Sequence, residues 1–158
     1  MKRELKLGDL LKRYVILLIL LVLVIFFSIL SPGFRTINNF FNISRQVSIM
    51  GIASVGMMFV LLIGGIDLSI GSQVAFVNVL CGYLIINAGI PVIPAVLLCV
   101  LVAVLAGFIM GTMVAVLRIP AFIATLAFMN ILKGAALAIS SGLPIYGFPK
   151  GFNQLGQG

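Results

Sequence analysis

Read for apolar runs, the chain resolves into five hydrophobic segments joined by four connections. The segments cover about 14–30, 49–63, 73–86, 92–117 and 122–139, and each reads as a membrane-spanning helix. The first run, Tyr14 to Leu30, has 17 positions and reaches about 25 Å at ~1.5 Å per residue, a slightly short span. It is longer than a signal-peptide core and lacks a small-x-small cleavage site before Ser31-Pro32-Gly33, so it is read as a retained first helix. Between the first two spans, Ser31–Ser48 mixes Arg35, Asn38, Asn39, Asn42, Arg45 and Gln46 with Phe34, Phe40 and Phe41. That mixture suits an interfacial amphipathic stretch. Asn87-Ala88-Gly89-Ile90-Pro91 is a Pro/Gly turn, and Arg118-Ile119-Pro120 closes the fourth span. Residues 141–158 form a tail with no further span, expected outside the cell.

The remaining connection carries the most chemistry. The second apolar run stops at Gly64-Gly65-Ile66-Asp67-Leu68-Ser69-Ile70-Gly71-Ser72 and then resumes. Asp67 is one of three acidic residues and the only one beyond the first nine positions. A carboxylate at membrane depth costs about 2.5–3.5 kcal/mol on insertion scales, so it persists where it has a partner, a cap or a function. In a structural reading, Gly64 or Gly65 ends the second helix in a left-handed cap, and Asp67 or Ser69 caps the third. In a functional reading, the broken segment lines a solute's route, as discontinuous helices do in transporters. The two are compatible, because a break in a span must lie in protein or water.

Composition fixes the class. With 63% hydrophobic and 8% charged residues, and a mean hydropathy of +1.34, the chain is an all-α polytopic membrane protein of about five helices, broken between the second and third. The net charge of +7 is not a nucleic-acid footprint. Half of the ten basic residues are Lys2, Arg3, Lys6, Lys12 and Arg13, a cluster that holds residues 1–13 on the cytoplasmic side near anionic lipid. With the N-terminus inside, Lys and Arg count six inside against three outside: that cluster and Arg118 against Arg35, Arg45 and Lys150. There is no His, and Cys81 and Cys99 lie in apolar runs without metal-ligand spacing, so neither a metal site nor a catalytic site is expected.

Inside the spans, Asn130, Gly134 and Ala138 share a face with Lys133 beside them, and Asn78 lies four residues before Gly82. These groups belong either to a polar pathway or to ordinary interhelical hydrogen bonds, with Lys133 snorkelling to the interface. Ala103, Gly107, Gly111 and Ala115 recur every four residues and form a small-residue face suited to close helix packing.

Four features in order carry a family resemblance. Gly65-Ile66-Asp67-Leu68-Ser69-Ile70-Gly71-Ser72 resembles the signature of ABC-type sugar permeases of the ribose/xylose/arabinose kind. Ser31-Pro32-Gly33-Phe34-x-Thr36-Ile37-Asn38-Asn39 is similar to the segment after their first span. Pro120-Ala121-Phe122-Ile123-Ala124-Thr125-Leu126 resembles the opening of their fifth helix, and Lys133-Gly134 falls where many members have Arg-Gly. The match covers nearly the whole chain but only the N-terminal half of the family pattern, which implies a truncated permease. The resemblance implies a multi-pass permease subunit in a bacterial inner membrane, importing a monosaccharide or related polar solute. Its implied partners are a cytoplasmic ATPase subunit, a periplasmic sugar-binding protein and a second permease subunit, alike or different. No cofactor and no nucleic acid are implied, and ATP hydrolysis would lie on the separate subunit. A permease for branched-chain amino acids and a non-transporting membrane fragment are the alternative readings.

Overall fold

The computed structural model describes residues 7–149 and 151–152, with side chains from Tyr14 onward, and divides the chain into two units, Met1–Ile52 and Ala53–Gly158. Lys2, Arg3, Lys6 and Lys150, on which the orientation argument leans, lie outside the described residues, as do the side chains of Lys12 and Arg13.

In the first unit, α1 (Leu7–Leu30) runs for 24 residues and stops where Ser31 donates its N–H to Phe27 O. Pro32 then starts a short 3-10 turn, Pro32–Arg35, at the one helical position where its missing N–H costs nothing. Thr36 follows in extended conformation and caps α2 (Ile37–Leu62): its Oγ1 accepts the Asn39 N–H at 3.3 Å and donates to Gly33 O at 2.8 Å. Asn39 Nδ2 donates to Phe34 O at 2.9 Å, and the Phe27 and Phe34 rings lie 5.9 Å apart. Much of the stretch expected as an interfacial connection is therefore the start of α2. The cap and the amide bonds let a polar sequence begin a helix that an apolar count places at residue 49.

The second unit holds the end of α2, then α3 (Ile70–Gly82), α4 (Val92–Ala115) and α5 (Ala121–Ser140). A π-helical turn, Tyr83–Asn87, prolongs α3, with Ala88 N–H bonded to Tyr83 O. Among the described residues four helices are long and apolar enough to cross a membrane: Ile37–Leu62, Ile70–Asn87, Val92–Ala115 and Ala121–Ser140. The apolar part of α1, Tyr14–Leu30, is shorter. The chain is an all-α polytopic membrane protein.

Helix α3 packs chiefly on α5 and next on α4. The buried positions are mostly small: Gly82, Ala95, Cys99, Ala124 and Ala136. Small side chains let backbones approach where lipid offers no hydrophobic incentive for burial. Large apolar side chains face outward instead, as Phe108 does at 70% exposure, the arrangement suited to a hydrocarbon solvent. After α5 the chain turns at Ser141 and Gly142, both with positive φ. It then returns along α3, where a Cβ on Gly82 would stand 3.2 Å from Phe148 Cζ and 3.3 Å from Ile145 Cγ2.

Candidate functional site

The break between α2 and α3 is an ordered structure. Gly64 adopts φ +78°, donates its N–H to Leu61 O at 3.0 Å, and is followed by Gly65 N–H to Val60 O at 2.9 Å. That pair of bonds is a Schellman stop with Gly64 at its left-handed position, which settles which glycine ends the helix. Gly65 serves a different purpose. A Cβ there would sit 3.2 Å from Val60 Cγ1 and 3.6 Å from Ala121 Cβ, so the missing side chain lets the break approach the start of α5.

Asp67 holds the next turn. Its Oδ1 accepts the Ser69 N–H at 2.7 Å and the Ser69 hydroxyl at 2.6 Å, an Asx-type turn that delivers the chain into α3. Ser69 is fully buried, with Met110 Sδ of α4 3.4 Å from its hydroxyl. Ser69 occupies the N-cap position without a side-chain cap bond, because its hydroxyl is turned to the carboxylate. The carboxylate therefore orders the residue before the helix rather than the N–H groups of the first turn. Beyond Asp67, the Ile66 carbonyl is met by Thr125 Oγ1 of α5 at 3.2 Å, and Thr125 is 3% exposed. Gln73 Nε2 donates to Ala103 O of α4 at 2.9 Å, tying the start of α3 to its neighbour.

These ties leave a cleft of about 680 Å³ between the break, α4 and the turn into α5. The volume lies within the ~300–1,000 Å³ of small-molecule sites. Asp67 lines one part, Gly107, Gly111 and Ala115 another, and Arg118 stands at the α4–α5 turn. A Cβ on Gly107 or Gly111 would meet nothing within 4 Å. Within the described chain, then, these two glycines front open space, whereas Ala103 lends its carbonyl to Gln73. Arg118 is exposed and holds φ +55°, a left-handed conformation that a non-glycine residue adopts at a cost.

Of the other polar positions read from the sequence, Gly71 is exposed and Ser72 half-buried on the first turn of α3. Asn130 and Lys133 are exposed on α5, and Asn130 Nδ2 donates to Leu126 O of its own helix. Asn78 lies away from the break, in a smaller cleft of about 370 Å³ with Cys81 and the returning segment at Leu143–Ile145. Sequence reasoning missed Thr125 and Gln73 as ties and Arg118 as a cleft residue. Thr125 and Arg118 do sit in or beside the Pro120–Leu126 motif, but nothing local in it points to the Ile66 carbonyl.

Residues 39–152 match the family model described as branched-chain amino acid transport system / permease component. The chain belongs to this permease family. A ribose import permease protein of Escherichia coli K12 is 41% identical over 132 residues, covering 82% of this chain and 40% of that relative. A ribose import permease protein of Haemophilus influenzae is 37% identical over 126 residues, covering 80% and 39%. An autoinducer 2 import system permease of Salmonella typhi is 32% identical over 139 residues, covering 88% and 40%. The chain thus spans about two fifths of the length of these relatives. No solved structure is significantly similar.

Proposed function

We propose that the chain is the membrane-spanning permease component of a bacterial ABC importer for a monosaccharide or a related small polar solute, and that it performs no catalysis itself. The observation that carries the reading is the ordered break at Gly64–Ser69, which places a half-buried carboxylate on a solute-sized cleft among membrane helices. Irregular backbone at membrane depth is tolerated where it faces protein or a watered cavity. The similarity to ribose import permeases supplies the solute class. Its partners in this reading are cytoplasmic ATPase subunits, a periplasmic binding protein and a second permease subunit. The protein sits in the inner membrane with residues 1–13 in the cytoplasm, and the cleft then lies at the cytoplasmic end of α2 to α5, with the Pro32–Arg35 turn before α2 and the tail outside.

A second reading, import of branched-chain amino acids, is favoured by the match to the branched-chain amino acid permease family. Uptake into vesicles distinguishes the two. A permease that includes these residues, with its ATPase and binding protein, should accumulate at least one of D-ribose, D-xylose, L-arabinose and D-galactose when ATP is supplied, and should ignore leucine. Leucine uptake without sugar uptake would replace the first reading by the second.

A further inference from the structure

Among the described residues, Asp67 and Arg118 are the two charged ones that line the larger cleft. Asp67 spends one oxygen on Ser69, at 2.7 and 2.6 Å, and Oδ2 accepts no hydrogen bond from any described residue. Arg118, at the turn between α4 and α5, is in no ion pair with it. A half-buried carboxylate oxygen and a guanidinium therefore share a cleft whose remaining walls are mostly apolar or bare backbone, at Val60, Ile63, Gly107, Gly111 and Val114. Opposite charges on such walls attract more strongly than in bulk water, because the intervening dielectric is low.

The cleft has room for closure. Among the described residues, a Cβ built on Gly107 or Gly111 would meet nothing within 4 Å. The segment bearing Asp67 is hung from Gly64 at φ +78°, a conformation free of Cβ strain. Arg118, by contrast, holds a left-handed backbone with a Cβ, costing about 1–2 kcal/mol. Such strain persists only where the surrounding structure holds it, and it clusters at functional and switch sites.

We propose that Arg118 and Asp67 Oδ2 form an ionic latch that shuts this cleft, and that the structure describes the unlatched state. In the latched state the guanidinium donates to Oδ2 while Oδ1 keeps both Ser69 bonds, so the break itself need not rearrange. The latch rests on the cleft alone and not on which solute crosses it. Closing and opening this end is what a transport cycle would need, so the pair would act as a gate within the function proposed above.

The test reads cleft access directly. In the chain with Cys81→Ala and Cys99→Ala, a Gly111→Cys variant places a thiol on the cleft wall, and its rate of reaction with a hydrophilic methanethiosulfonate reagent is measured in lipid nanodiscs. Asp67→Asn preserves an Oδ1 acceptor for Ser69 and removes the charge, and Arg118→Gln removes the other. Each should speed labelling about two- to fivefold, the range expected for a half-exposed ion pair. The double variant should be no faster than either single one, because the latch can be lost only once. Arg118→Lys should keep most of the slow rate. Added salt should accelerate labelling in the protein that retains both charges and leave the double variant unchanged. Single variants with the parent rate, or single effects that multiply in the double variant, would overturn the latch. Sugar uptake by the complete permease, measured in parallel, would then show whether the proposed function survives without it.

Discussion

Replacing Asp67 tests the architecture of the break at its tightest point. Oδ1 holds the Ser69 N–H at 2.7 Å and the Ser69 hydroxyl at 2.6 Å, and Ser69 is fully buried. Asp67→Leu leaves both donors without that acceptor, and a buried donor left unmet costs about 1–3 kcal/mol. The hydroxyl has one fallback, Met110 Sδ at 3.4 Å, but thioether sulfur is a weak acceptor. The N–H has none among the described side chains. The expected loss is therefore about 2–4 kcal/mol, discounted from the sum of two full penalties for the sulfur contact. Asp67→Asn keeps a carbonyl oxygen in the same place and loses only the charge assistance, about 1 kcal/mol over the two bonds. Ser69→Ala deletes the hydroxyl and keeps the N–H bond, so it should also cost about 1 kcal/mol or less. Reversible unfolding in mixed micelles of lipid and SDS, followed by helix content, orders the three variants. Asp67→Leu within about 0.5 kcal/mol of the parent would refute the reasoning, since that is the range of substitutions that touch nothing.

Gly64→Ala forces a Cβ onto φ +78° and should destabilise by about 1–2 kcal/mol. Gly107→Ala, whose Cβ meets nothing within 4 Å among the described residues, should be neutral or more stable by up to about 1 kcal/mol in the same assay. Gly82→Leu drives a side chain into Phe148 and Ile145, 3.2–3.3 Å from the Cβ position, and should release the returning segment, read as faster limited proteolysis after α5. For orientation, with Cys81 and Cys99 replaced, a cysteine at Tyr146 should react with an impermeant reagent added outside and one at Arg118 should not. Reaction at Arg118 with Tyr146 silent would invert the topology.

Legibility in the sequence followed the range of the interaction. The four spanning helices and the break announce themselves through apolar runs and the Gly64–Ser72 interruption, because lipid burial and helix stopping are written locally. Which glycine stops α2 is settled by φ at Gly64 and by the 65-to-60 bond, and the sequence offered two candidates. The start of α2 was misplaced for a similar reason: Thr36 and Asn39 act through cap bonds that an apolar count does not register. Contacts between distant positions were not legible at all. Gln73 reaches Ala103 and Thr125 reaches Ile66 only because α3, α4 and α5 pack as they do. The small-residue face of α4 was legible as a face, but its Gly107 and Gly111 front a cleft within the described residues, which periodicity alone does not distinguish from a helix contact.

In the function proposed above, the cleft at the helix break is the place where the solute passes. That claim is tested most directly by blocking the cleft during transport. In a permease that includes these residues, with Cys81→Ala, Cys99→Ala and Gly111→Cys, ATP-dependent sugar uptake into proteoliposomes should persist before modification. It should fall to background once a bulky thiol reagent has occupied position 111. Undiminished uptake at stoichiometric modification would contradict the claim.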